Sequence, residues 1–484
     1  MIARTEAAGS AGLLPEVLAF TSSLAADRAL VREDLLGSLA HLTMLGRCGI
    51  VPLADARKIR EGLLALLDLE DRGQVALRDE EDVHMAVEAE LTRRLGEVAG
   101  RLHSARSRND QVALDLRLHV REGCRRALLA TGQLLAALAD RAEAERETLI
   151  PAYTHRQRAQ AVSVSYYLCG YGMMFARDVE ALGFAADQSD ALPLGIGAIA
   201  GTSLPIDRQL TRELLSFGRL TENGLDAVGD RDFALDFAYA AARCQLHASR
   251  VATDIIDFAS AEFGYVRLLG TIALGSSLMP QKRNPDLFEL VRGKTAPAIG
   301  DLLSLFTLLK GLPGGYNRDL QEDRGAILAV GPRLVSVLQA LKLGLSQIQF
   351  DKARALAAVE GDHMQAADLA EALVKQGLPF RTAYQIVGRV VSLCQAQGLP
   401  LGGATPALVA GAHPELTPAL TAALLGALSP VEAVARKVSA GSTGPVSVEQ
   451  QIFSLRRHVA ACEARAAAIP SLDAIGLKLR EVTL

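Results

Sequence analysis

Long stretches of the chain carry apolar residues at helical spacing, and proline marks where such stretches are interrupted, because it lacks a backbone donor and clashes with the preceding turn. No proline lies between Pro52 and Pro151, or between Pro205 and Pro280. From the candidate caps Asn109 and Asp110 to Thr148, Val112, Leu114, Leu116, Leu118, Leu128, Leu129, Leu134, Leu135 and Leu138 occupy almost every face of one predicted helix. A helix apolar all round needs neighbours on all sides, which suits the centre of a bundle or an oligomer better than a surface. Segments 163–183, 226–264, 285–310 and 321–348 read the same way, with Pro297 and Pro332 as predicted kinks or breaks. Runs of alternating strand residues are scarce. The pattern predicts an all-α protein around a bundle of long helices.

The texture changes on either side of that block. The first hundred residues are more charged, and the acidic run Asp79, Glu80, Glu81, Asp82 leads into a helical pattern from Val83. The last part carries shorter patterns such as 366–376, closed by Gly377 and Pro379. With 484 residues, more than one core usually accommodates, these changes predict three domains: 1–106, 107–362 and 363–484. An aromatic content of 4% without Trp disfavours sheets, which draw on aromatic and β-branched side chains. A net charge of -4 leaves no cationic excess for nucleic acid. The six cysteines form no C-x-x-C pair, which fits a reducing compartment, and no apolar leader opens the chain, so a cytoplasmic location is expected. The uncharged stretch Val390 to Pro414 is interrupted by Gly398, Pro400, Gly402, Gly403, Pro406 and Gly411, and reads as a helix end plus loops rather than a membrane span.

Polar and glycine-rich clusters break the helical texture. Gly275-Ser276-Ser277-Leu278-Met279-Pro280-Gln281-Lys282-Arg283-Asn284-Pro285-Asp286, followed by Glu289, cannot be regular helix, and Pro285 is placed to open the next one. Read plainly it is a solvated connection. It also brings a hydroxyl, an ammonium and an amide into a short span, which suits a carboxylate substrate whose charge grows during reaction. This string resembles the signature of the fumarase, aspartase and argininosuccinate lyase superfamily. Ala105-Arg106-Ser107-Arg108-Asn109-Asp110-Gln111, Tyr153-Thr154-His155-Arg156-Gln157-Arg158-Ala159-Gln160 and Tyr316-Asn317-Arg318-Asp319-Leu320-Gln321-Glu322-Asp323 are similar to its argininosuccinate lyase branch, which includes the δ-crystallins. Phe20-Thr21-Ser22-Ser23 with Asp27, and Glu81-Asp82-Val83-His84, agree more weakly.

The resemblance implies a homotetramer whose central helices form one large helical core, with each active site built from three subunits. It implies reversible anti-elimination from an N-substituted succinate, giving fumarate and, in the parent enzyme, arginine, with no metal or organic cofactor and neither nucleic acid nor membrane as partner. The proton leaves a carbon beside a carboxylate, so the intermediate is an aci-carboxylate with added negative charge that preorganised cations and donors must meet. By motif position Ser276 is the base, Lys282 and Asn284 clamp the carboxylate, Glu289 orients His155, and Thr154 and His155 line the pocket. Whether His155 protonates the leaving nitrogen or only positions groups stays open. Ser107, Arg108 and Asn109 would donate to substrate carboxylates from a helix start, while Ser23, Tyr316, Gln321 and Arg324 would hold the amino-acid half.

Some positions depart from the family. Ser104-Ala105 replaces the usual Thr-Gly, and alanine there is harmless at negative φ but costly at positive φ. Arg156 and Ala161 stand for a leucine and a proline, and Arg324 for a lysine whose ammonium lacks the planar fork. The elimination machinery is spared and the amine half of the substrate is left open. Three functions follow: an argininosuccinate lyase of arginine biosynthesis, a related carbon–nitrogen lyase acting on another N-substituted aspartate, or a crystallin-like structural protein. Glu80, Asp82, His84 and Glu88 lack metal-ligand spacing and read as a charged helix start. The glycines of segment 195–201 only approximate a dinucleotide loop, with the third glycine one position late and no strand expected before it.

Overall fold

The computed structural model describes residues 14–77, 80–275 and 277–484, so Ser276, Asp79 and the start of the chain lie outside the described residues. The all-α expectation holds: the described chain is mostly helix with a few short strands. Its centre is a bundle of Arg108–Ala144, Val164–Ser189, Asp232–Ala259, Arg324–Ser346 and Pro445–Ala468. The first spans 37 residues, about 55 Å at the α-helical rise. Leu114, Leu116, Leu118, Leu128, Leu134, Leu135 and Leu138 are all buried, as its apolar circumference requires, and Leu129 is the outward-facing one of the set.

This helix begins earlier than its expected caps. Ser107 Oγ accepts from the Asn109 amide at 3.3 Å and Asp110 Oδ1 accepts from the Ser107 amide at 2.9 Å, a reciprocal cap satisfying two otherwise orphaned donors. The expected segment 285–310 divides into Asp286–Gly293 and Thr295–Leu309, with Pro297 in the first turn of the second helix, where no intrahelical donor is needed. Pro332 sits inside Arg324–Ser346 without ending it.

The bundle helix Pro445–Ala468 does not stand out in the sequence pattern. It approaches closely because Gly172 has no side chain: a Cβ there would lie 2.6 Å from Leu455 Cδ2. One core accordingly joins residues between Leu30 and Ala355 to Val448, Ile452, Leu455, Cys462, Ile475 and Leu479. A second core lies between Leu369 and Ala427. Within 363–484, the earlier helices thus build a core of their own, and the later ones pack onto the bundle and onto the helix Val31–Arg47. Arg318–Ser346 is apolar and long enough by composition to cross a bilayer, and its Leu334, Val337, Leu338 and Leu341 are buried against the other helices.

Candidate functional site

The expected site residues fall into three groups. The first gathers where Arg108–Ala144, Asp232–Ala259 and Arg324–Ser346 begin. Ser23 Oγ donates to Asp27 Oδ2, and Asp27 Oδ1 accepts from Arg324 Nε at 2.9 Å. Arg324 Nη1 also donates to Asp323, whose other oxygen accepts from Arg231 Nε at 2.5 Å. All four charged groups of this chain are buried. Arg324 therefore does not stand free for an amino-acid ligand. Its fork, which favours paired carboxylate oxygens, is held by two of the protein's own carboxylates. Tyr316 is half-buried nearby, and burial pushes its phenol up, with the Arg324 and Arg231 guanidiniums opposing. Gln321 Nε2 donates to the Thr21 carbonyl at 2.9 Å, as does Arg318 Nη2, which also pairs with Glu81.

At the same end Arg108 Nη1 donates to Asp82 Oδ2 at 2.5 Å, and Asn109 Nδ2 to the Ala198 carbonyl at 3.3 Å. Asp110 Oδ2 accepts from the amides of Gly195 (3.0 Å) and Gly197 (2.8 Å). Burial still pushes its carboxyl up to about 6 against those donors. The segment rejected as a dinucleotide loop is thus a loop anchored through its backbone amides to the cap at Ser107. A strand does precede it, Ala191–Leu192, but it is two residues long and pairs with Arg219–Leu220, which is too little for a βαβ unit. Before the cap, Ala105 has φ +57°, the costly case for an alanine in place of glycine.

The second group is the hairpin Leu149–Thr154/Gln157–Ser163, which the helical pattern leaves unassigned. Thr154 and His155 are exposed at its tip, Arg156 pairs with Asp257, and Tyr153 Oη lies 2.8 Å from Tyr265 Oη. The third is the signature loop. Leu274 pairs with Asn284 and Gly275 with Arg283, Pro285 caps Asp286–Gly293, and Lys282 and Glu289 are exposed. Ser276, the expected base, lies outside the described residues.

Helix lengths set how far apart these groups are. Arg231, at the start of Asp232–Ala259, pairs with Asp323 of the first group, and Asp257 pairs with Arg156 of the second. The intervening 25 residues of helix span about 38 Å. Along Arg324–Ser346, Gly344 packs under the Phe288 ring of Asp286–Gly293, 20 residues or about 30 Å from Arg324. A small dicarboxylate cannot touch the first group together with either of the others in one chain.

The sequence missed Arg231 and Asp257 as partners of site residues, and nothing local marks them. It also missed a buried cluster. His84 Nδ1 lies 3.0 Å from Asp34 Oδ1 and 3.4 Å from Asp115 Oδ2, and these are the described residues with geometry to hold a metal ion. Burial and the neighbouring Asp34 and Glu33 carboxylates push the Asp115 carboxyl well up. Asp82 meanwhile caps Val83–Leu95 through the Met85 amide, the charged helix start expected.

Residues 17–300 match the lyase family and residues 363–435 the argininosuccinate lyase C-terminal family. The chain is 42% identical over 434 residues to an argininosuccinate lyase of Symbiobacterium thermophilum, covering 90% of this chain and 93% of that one. It is 45% identical over 383 residues to an argininosuccinate lyase of Pelotomaculum thermopropionicum, covering 79% and 83%. Among solved structures, an EDDS lyase in complex with formate is 25% identical with a TM-score of 0.84, covering 98% and 95%, and an EDDS lyase variant with bound fumarate gives 0.83 at 25%, covering 94% and 91%.

Proposed function

The chain belongs to the argininosuccinate lyase family of carbon–nitrogen lyases, and from that premise we propose that it converts argininosuccinate reversibly to fumarate and L-arginine in a cytoplasmic homotetramer. The observation that carries the shared-site reading is the separation of about 38 Å and 30 Å of the first group from the second and the third in one chain. Residues that must meet one small substrate are too far apart to do so alone, and copies of the chain packed side by side bring complementary ends together. Exposed Tyr239, Leu246, Ile299, Leu303 and Phe306, on the outer faces of Asp232–Ala259 and Thr295–Leu309, supply apolar surface for such packing.

In the assembled site, Ser276 takes the proton from the carbon beside the carboxylate, and Lys282 and Asn284 meet the charge that develops there. Ser107, Arg108 and Asn109 hold the substrate's carboxylates at a helix start, where backbone amides add to the field. His155, aimed by Glu289, faces the leaving nitrogen. Ser23, Tyr316 and Gln321 bound the amine half, while Arg324 acts behind them by fixing Asp27, which in turn holds the Ser23 hydroxyl.

That last difference from a free lysine supports a second reading, a lyase for another N-substituted aspartate. One assay separates them: purified protein is given argininosuccinate and the ultraviolet absorbance of fumarate is followed. Fumarate from argininosuccinate supports the first function. Fumarate from other aspartate adducts alone supports the second, and none from any adduct by assembled protein leaves the structural reading. Ser276→Ala should abolish turnover and spare assembly; substantial residual turnover overturns its assignment as base.

A further inference from the structure

We propose that Asp257 is a positioning residue for this reaction, holding through Arg156 the two-residue turn that presents His155. This rests on His155 belonging to the site described above. Thr154 pairs with Gln157, so His155 and Arg156 are the two central residues of the hairpin tip. Both are left-handed, with φ +52° and +57°. Tips of this shape are ordinarily made from asparagine and glycine, because a Cβ crowds the following carbonyl at positive φ. Two full side chains there are held only where surrounding contacts over-determine the conformation.

Three side-chain attachments lie near the tip of the hairpin, while at its far end the Ser163 amide donates to Thr443 Oγ1 at 3.0 Å. Tyr153 meets Tyr265, and Arg158 Nη1 reaches the Ala358 carbonyl at 3.2 Å and Asp362 Oδ2 at 3.3 Å. Both act on the strands flanking the tip. The third, Arg156 Nη2 to Asp257 Oδ2 at 2.5 Å, is made by a tip residue itself. Asp257 sits in the last turn of Asp232–Ala259, and its carbonyl accepts from the Ser260 amide at 3.0 Å. The ion pair therefore fastens the catalytic turn to the end of a bundle helix. It also engages Nη2 of the largely exposed Arg156 guanidinium. Released, that guanidinium would stand beside His155 and compete with Lys282 and Arg108 for the substrate's carboxylates, favouring unproductive poses.

Both effects lower turnover without weakening binding, since misplacement of about 1 Å at a reacting centre costs rate rather than affinity. The test uses the assembled enzyme with fumarate formation as readout. Asp257→Asn should lower kcat about tenfold with KM unchanged or reduced, and Asp257→Glu should restore most of the loss. In an Arg156→Leu background, adding Asp257→Asn should change kcat less than about twofold, because the contact through which it acts is already gone. Wild-type kcat for Asp257→Asn overturns the proposal, as does an equal loss in both backgrounds, which would place the effect in the helix end. If Asp257→Asn fails to assemble, Arg156→Gln breaks the same pair from its exposed side and should lower kcat through the lost anchor alone, with KM unchanged; wild-type kcat there overturns the proposal. His155→Asn, measured alongside, separates the two levels: wild-type turnover there defeats the site assignment, whereas an inactive His155→Asn with a wild-type Asp257→Asn defeats the positioning role alone.

Discussion

Lowering the pH from 7 to 4 should weaken the fold through His41. The ring is buried on Val31–Arg47 and donates Nε2–H to the Ser104 carbonyl at 2.9 Å, directly before the cap that carries Ser107, Arg108 and Asn109. Its Nδ1 has no partner among the described residues, so a second proton would be buried unpaired, near Arg106 and His103. Burial first, then those charges, push the imidazole down from 6.5 to about 3. A depressed folded pKa means the contribution is fully present above 6.5 and is lost as the pH falls from there toward 3. At 1.36 kcal/mol per pH unit, the loss is about 1.4 kcal/mol at pH 5.5 and about 3 kcal/mol at pH 4. His41→Gln keeps a neutral donor toward Ser104 and removes the titration. Urea unfolding of both proteins at one concentration across this range should show the wild type losing about 3 kcal/mol more than the variant by pH 4. Parallel losses would refute the account, and the charge of His41 would then have to be accommodated by water or by movement of the Ser104 carbonyl.

Two further substitutions test how the first group is held. Ala105→Gly should stabilise the protein by about 1 kcal/mol, because a left-handed alanine costs roughly 1–2 kcal/mol and the added freedom of the unfolded glycine returns only part of it; a higher urea midpoint checks this. Asp27→Asn removes the charge that accepts from Arg324 Nε and Ser23 Oγ in a buried setting. It should cost about 3 kcal/mol in stability, read as a lower unfolding midpoint, and raise KM in the fumarate assay more than it lowers kcat.

Much of the bundle was legible because helix periodicity is local. The stretch from Asn109 to Thr148 carries its own apolar circumference, and burial follows from it. The site strings were legible in the same way, as short runs read by residue type. Pro445–Ala468 escaped because its place in the bundle depends on Gly172, in another helix, leaving room for Leu455. The His155 hairpin escaped for a related reason. Its first strand contains Pro151 and its tip has no glycine or asparagine, so the usual turn signal is missing and distant contacts hold the shape.

Sequence by itself determined the helical class, the cap at Ser107 to within two residues, and the strings that mark the family. Tertiary structure decided what surrounds the residues in those strings. Arg324 reads as a substrate cation, yet Asp27, 297 positions away, and its neighbour Asp323 enclose it, while Arg231, 92 positions from Asp323, completes the chain of charges. Ala105 reads as a mild exchange until its φ of +57° is known. The division has a physical cause. Helix formation and capping depend on neighbours a few residues apart, whereas desolvation of a charge depends on which remote groups packing brings beside it.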